Sequence, residues 1–280
     1  MKIGISGFAW TSDFKSPHLA SLPAIKRLGL SALEIPMFDP RRLPIEEIKL
    51  AFESNGLECT VCAILPTEIN PISPDRLIRK QSIEHLRGCI HATAAMGAKL
   101  IGGPLFAPIG YLPEHRPNAE EWNWAIEAFR SLREDLERAE VTLSIEPVNR
   151  SETFFLRTTA EAARLCEAID DPRIGVTIDT FHANIEERDI CSGIRLLGPN
   201  LKHVHASEND RGPLGRGHVP FREIVAVLKE IDYQGYLMIE GFGYSPGEGK
   251  SPGYLWADPH VSPDRLAEES YEYLKALLAD

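Results

Sequence analysis

The 280-residue chain is 43% apolar and 25% charged, enough to bury one large core or two modest ones. Its 30 Lys and Arg against 41 Asp and Glu give a formal net charge of -11, which repels phosphate backbones and anionic membranes and argues against nucleic-acid or membrane partners. The opening MKIGISGFAW has no basic region followed by an apolar run, and no segment approaches the roughly 20 apolar residues of a membrane helix, so a cytoplasmic protein is expected.

Short β-branched runs alternate with longer stretches of helical period. The predicted strands are Lys2–Ser6, Ala32–Ile35, Glu58–Cys62, Lys99–Gly102, Thr142–Glu146, Gly175–Asp179, Leu201–His205 and Tyr236–Glu240. Helices are predicted near residues 17–29, 44–55, 75–96, 119–139, 158–169, 186–197, 221–231 and 262–279. In the fourth, Trp122, Ile126, Phe129, Leu132 and Leu136 recur every three or four residues and so share one face. Gly29, Gly56 and Gly97 stand where a left-handed residue ends a helix, and Thr158 with Glu161 has the spacing of a capping box. Strand-helix alternation requires a parallel sheet, and eight units favour closure as a (β/α)₈ TIM barrel over a doubly wound sheet. The 21 prolines are scattered rather than gathered into a linker, so residues 1–280 read as a single domain.

In such a barrel the active site is built from the C-terminal strand ends. Strands five to eight end in Glu146, Asp179, His205 and Glu240, four metal-competent side chains delivered to one mouth. Any one of them alone is equally well a cap or a structural ion pair. Together, three carboxylates in a confined site repel and are driven toward protonation unless a cation neutralises them. Three oxygen donors and one imidazole suit Mn²⁺, Mg²⁺ or Co²⁺ better than a thiolate-seeking ion, with zinc left open. His203 faces the same side of its strand as His205 and competes with it, but His205 lies nearer the strand end.

The loops beyond add Glu152, His182, Glu208, Asn209, Asp210 and Arg211, of which His182 and Arg211 can reach over the metal site. Phe8, Trp10, Phe38, Trp256 and Cys62 are candidates for an apolar wall, with ordinary packing the simpler explanation for each. Cys59 and Cys62 form a C-x-x-C inside an apolar run with no second pair, which reads as reduced cysteines in a strand, and five cysteines make no disulfide framework. Gly102-Gly103-Pro104 reads as a sharp turn rather than a phosphate cradle, since no Lys-Ser/Thr follows.

The segments IEPVNR around Glu146, IDTFHANIEE around Asp179, KHVHASENDRG around His205, GRGHVPF at 215–221 and MIEGF around Glu240 resemble the xylose isomerase-like barrels, specifically the D-tagatose/D-psicose 3-epimerase group. The ligand spacings also fit: 33 from 146 to 179, 26 from 179 to 205 and 35 from 205 to 240. The resemblance implies one divalent ion, commonly manganese, on Glu146, Asp179, His205 and Glu240. It implies that Glu152, His182 and Arg211 hold the C1–C2 end of a sugar, and that the protein is a homodimer or homotetramer. Where relatives often have Trp-Arg, this chain has Trp256-Ala257, which leaves the preferred sugar open.

Inverting C3 of a ketose means removing a proton beside the C2 carbonyl and returning one to the other face, so a base and an acid must flank that carbon. Glu146 and Glu240, on separated strands, are the expected pair, exchanging roles with substrate direction. An aldose–ketose or hydroxypyruvate isomerase and an inosose dehydratase would use the same barrel and metal. A metal-dependent apurinic endonuclease would need further histidines on strands two and three, and a sugar-binding barrel would not need two opposed carboxylates.

Overall fold

The computed structural model describes residues 1–242 and 261–279. The eight apolar runs form parallel strands in chain order: β1 (Lys2–Ser6), β2 (Ala32–Met37), β3 (Glu58–Ala63), β4 (Leu100–Gly103), β5 (Thr142–Ile145), β6 (Ile174–Asp179), β7 (Leu201–Ala206) and β8 (Tyr236–Ile239). The barrel closes where β8 pairs back onto β1, with Lys2 opposite Tyr236 and Ile5 opposite Ile239. This is the TIM barrel expected from the sequence, with each predicted strand present and its bounds shifted by at most two residues.

The helices are α1 (Leu22–Leu28), α2 (Ile45–Asn55), α3 (Arg76–Ala95), α4 (Ala119–Arg130), α5 (Arg133–Ala139), α6 (Thr159–Ile169), α7 (Thr180–Glu186), α8 (Ile190–Leu197), α9 (Phe221–Glu230) and α10 (Pro263–Ala279). Gly29, Gly56 and Gly97 have φ of 97°, 59° and 81°, the left-handed geometry that ends a helix, and the Thr158–Glu161 capping box is formed. The first predicted helix divides into a 3-10 stretch, Ser16–Ser21, and α1, because Pro23 has no N–H to continue a longer helix through that point. The fourth divides at Leu132, a fully buried residue between α4 and α5.

The largest departure follows β6. A helix was expected only from residue 186, but α7 begins at Thr180, directly after the strand. The Asp179 carboxylate accepts a hydrogen bond from Phe181 N at 2.7 Å and so caps α7 from the strand itself. The chain then restarts at Asp189, which caps α8 in the same way.

The residues two back from the strand-end acids lie on the same strand face, pointing into the barrel. Two residues before Glu146, Asp179 and His205 that face carries Ser144, Thr177 and His203, and before Glu240 it carries Met238, all fully buried, and Thr177 Oγ1 donates to Ser144 Oγ at 2.7 Å. The turn after β4 depends on glycine. Gly103 has φ of 126°, and a Cβ there would lie only 2.1 Å from the Ala63 carbonyl oxygen, so no other residue fits. Its own carbonyl accepts from Glu146 N at 2.9 Å and fixes where the chain leaves β5.

Candidate active site

Glu146 and Glu240 are each the first residue beyond a strand, Asp179 is the last of β6, and His205 lies opposite Asp179 in the β6–β7 register. All four are buried, and each offers one donor atom such that all lie within 4.8 Å of one another. His205 Nδ1 lies 3.3 Å from Glu146 Oε1 and 3.7 Å from Glu240 Oε1, between acids that arrive from β5 and β8. Of the two histidines on β7, His205 joins this group. His203 instead meets Glu34 on β2, its Nε2 lying 2.8 Å from Glu34 Oε2.

Burial pushes the Glu240 carboxyl well above the usual carboxylate range, reinforced by the charges of Asp179 and Glu146 and opposed by His205 and Arg211. Burial would also raise Asp179, but Arg211, His182 and His205 outweigh it and hold that acid well below the ordinary value. Burial would lower His205, yet Glu34, Glu240 and Glu146 raise it well above a free imidazole. The raised Glu240 and His205 both lean toward their protonated forms, and with the Arg211 guanidinium they offset the cluster's negative charge. Such protons are what a divalent ion displaces on binding, and a set of three carboxylates with one imidazole fits an oxygen-preferring ion.

Arg211 is buried and tied into the cluster rather than free above it. Its Nη1 donates to Asp179 Oδ2 at 2.7 Å, Glu240 Oε2 at 2.6 Å and Ser207 Oγ at 2.8 Å. Its guanidinium stacks on Phe181 at 3.9 Å and Phe242 at 4.8 Å. The backbone there has φ of 61°, a left-handed conformation costing a side-chain-bearing residue about 1–2 kcal/mol, so the surrounding contacts hold Arg211 in place.

His182, on α7, turns Nε2 toward Arg211 Nη2 at 3.3 Å and Asp179 Oδ2 at 3.6 Å. Its Nδ1 accepts the backbone N–H of Asn149 at 3.2 Å, with the Asn149 side-chain amide at 2.9 Å, so the ring proton is on Nε2. Asn149 also donates to Glu152 Oε1 at 2.8 Å and therefore places Glu152 and His182 together. Neither Asn149 nor Glu34 was singled out from the sequence. Asn149 carries no charge, and Glu34 lies mid-strand; the one available signal was an acid inside the otherwise apolar run ALEIPM.

The other loop candidates bond within their own loop. Glu208 is fully buried and accepts from Gly215 N at 3.0 Å and Val219 N at 2.9 Å, while Asn209 accepts from His218 N at 3.0 Å and Asp210 from Gly212 N at 2.9 Å. These three organise the loop after β7, which accounts for their polarity through the backbone. Phe8, Cys62 and Phe242 form one apolar cluster with Phe38 and Ile64 at its edge. Trp10 instead packs against the main core and donates to Asp264 Oδ1 at 3.0 Å, and Trp256 and Ala257 lie outside the described residues. Cys59 and Cys62 are buried free thiols, as the strand reading required.

The barrel is closed and eight-stranded with a buried acid-histidine cluster at its mouth, and the chain belongs to the xylose isomerase-like TIM barrel family, which matches residues 22–277. Within it, similar proteins include ketose 3-epimerases, as the sequence segments implied, and also a 3-dehydro-D-guloside 4-epimerase of Escherichia coli, 28% identical over 86% of this chain and 92% of its own length. The D-psicose 3-epimerase of Ruminiclostridium cellulolyticum is 30% identical over 92% of this chain and 89% of its own length. A probable ketose 3-epimerase of Synechocystis sp. is 28% identical over 98% of this chain and 96% of that protein. The crystal structure of D-allulose 3-epimerase from Methylomonas sp. in complex with D-allulose is 25% identical with a TM-score of 0.92, covering 99% of this chain and 96% of that one.

Proposed function

We propose that the chain catalyses 3-epimerisation of free ketoses of the D-allulose, D-tagatose, D-fructose or L-ribulose type. The observation that carries this reading is the approach of Glu146 and Glu240 to one buried site from β5 and β8, with His205 Nδ1 between them. Glu146, Asp179, His205 and Glu240 are the residues that would hold a divalent ion, Mn²⁺ first and Co²⁺ or Mg²⁺ next. Such an ion supplies positive charge against the negative charge that gathers on the ketose oxygens when the C3 proton leaves.

Glu146 and Glu240 then exchange the C3 proton, one removing it from one face while the other returns a proton to the opposite face. His182 presents Nε2–H and Arg211 its outer guanidinium nitrogen as donors toward the C1–C2 oxygens, while Glu152 accepts from a hydroxyl. The Phe8, Cys62 and Phe242 cluster keeps water from the carbanion. A cytoplasmic homodimer or homotetramer belongs to the same reading, and the five free cysteines suit a reducing compartment.

The test is isotopic. A ketohexose incubated with the enzyme in D₂O should gain deuterium at C3 of the epimerised product. Label confined to C1 or C2 would mark an aldose–ketose isomerase, label at another carbon an epimerase of different position, and no label a binding protein.

A further inference from the structure

Glu34 is a fully buried carboxylate in the middle of β2, at a kind of barrel position normally filled by Val, Ile or Leu. Desolvating a carboxylate costs several kcal/mol unless partners compensate, so its neighbours should explain its presence. They come from two directions. Thr60, opposite it in the β2–β3 register, donates Oγ1 to Glu34 Oε2 at 3.2 Å. Across the barrel on β7, His203 Nε2 lies 2.8 Å from that same oxygen, and His205 Nε2 lies 3.0 Å from Oε1.

Among the described residues, Glu34 Oε1 and His205 Nε2 have no hydrogen-bond partner, so each is the available complement of the other. A carboxylate oxygen is an acceptor, and a second acceptor 3.0 Å away would be repelled. Nε2 must therefore carry a proton. Nδ1 faces Glu146 Oε1 at 3.3 Å and Glu240 Oε1 at 3.7 Å, so without an ion it too carries a proton; a cation seated between those acids would displace that proton and take the Nδ1 lone pair, while Glu34 keeps the one on Nε2.

We propose that Glu34 is a positioning residue that holds His205 protonated on Nε2, presenting the Nδ1 lone pair to the cation site, with Thr60 and His203 holding Glu34 in turn. The inference rests on the metal reading above and adds to it a residue from a strand that contributes no ligand. Glutamine at this position has the size of glutamate but only one acceptor oxygen for three donors. Loss of a carboxylate that orients a ligating histidine lowers metal affinity by about 10- to 100-fold.

The experiment is Mn²⁺ titration of the full chain by calorimetry for wild type, Glu34→Gln and Asp179→Asn, with folding checked by circular dichroism. It is joined by ¹⁵N-histidine NMR of the wild-type chain loaded with diamagnetic Zn²⁺. Expected are a 10- to 100-fold weaker Mn²⁺ affinity in folded Glu34→Gln and, in wild type, a hydrogen-bonded proton on His205 Nε2 with Nδ1 unprotonated. Unchanged affinity in Glu34→Gln while Asp179→Asn loses Mn²⁺ overturns the role of Glu34 and leaves the metal reading standing. A wild-type chain that binds no Mn²⁺ overturns both. Should Glu34→Gln fail to fold, the wild-type spectrum decides alone: a bare Nε2 overturns the proposal.

Discussion

Arg211 Nη1 lies 2.6 Å from Glu240 Oε2, and the same nitrogen reaches Asp179 Oδ2 at 2.7 Å. One guanidinium thus pairs with two of the four proposed ligands, meeting Glu240 through Oε2 while Oε1 faces His205, so a residue offsets part of the charge that an ion would otherwise balance. Removing one partner of a buried ion pair leaves the other charge uncompensated at a cost of about 3–5 kcal/mol. Arg211→Ala should therefore lower stability by that order in EDTA and by clearly less with saturating Mn²⁺, because the ion replaces the missing charge. Thermal melts in both conditions check this; equal losses in the two would separate Arg211 from the metal site.

Metal removal gives the second expectation. An ion that binds only the folded chain stabilises it by mass action, about 2.7 kcal/mol at a hundredfold excess over Kd. Chelation should abolish epimerisation and lower Tm by several degrees, with both restored by Mn²⁺ or Co²⁺. Full turnover in protein shown metal-free by elemental analysis would overturn the reading.

The substrate grip is tested at Asn149, which orders His182 and Glu152 without being charged itself. Asn149→Asp replaces a donor amide by an acceptor facing Glu152, so it should disturb both neighbours. KM for the ketose should rise tenfold or more, about 1.4 kcal/mol, at unchanged Mn²⁺ content. His182→Ala should do the same by deleting the donor. Wild-type kinetics in both would return this pair to a structural role.

Thiol chemistry checks the cysteine assignment. Cys59, Cys62, Cys89 and Cys166 are buried and Cys191 is half-buried. Burial first, with the Asp39 charge adding to it, pushes Cys89 up to about 12, and burial likewise pushes Cys166 up to about 12, with Lys202 opposing. Thiolate is the reactive form, so a disulfide reagent at pH 8 should label Cys191 alone in the native chain and all five cysteines after denaturation. Rapid native labelling of Cys62 would show that the apolar cluster admits solvent.

The barrel was legible in the sequence because parallel strands buried on both faces write continuous apolar runs, and their ends place the acids. Glu146, Asp179, His205 and Glu240 stood out as polar residues closing such runs. What periodicity does not carry is contact across the barrel: Glu34 and His203 are 169 residues apart, and nothing local to either announces the other. The helix α7 was missed for a related reason, since its cap is a side chain that also belongs to the site. Glu208 is ambiguous in the opposite direction, because a loop acid that organises its own backbone has the same sequence signature as one that meets a ligand.

The division of labour between Glu146 and Glu240 yields the most discriminating outcome. If each serves one face of C3, then Glu146→Gln removes proton transfer on one side only, and Glu240→Gln on the other. Net epimerisation should fall by roughly 10²–10⁴ in both variants, the usual contribution of a positioned acid or base. Exchange should behave differently. The surviving carboxylate can still take the C3 proton from the epimer whose hydrogen faces it and return deuterium from D₂O to the same side. Glu146→Gln should therefore wash deuterium into one C3 epimer without inverting it, and Glu240→Gln into the other. An amide oxygen can still occupy a ligand position, so metal content must be measured beside exchange to separate a lost base from a lost ion. If both metal-loaded variants label the same epimer, the two-face assignment is wrong. If either still inverts C3 at the wild-type rate, that glutamate is a ligand and not a proton carrier.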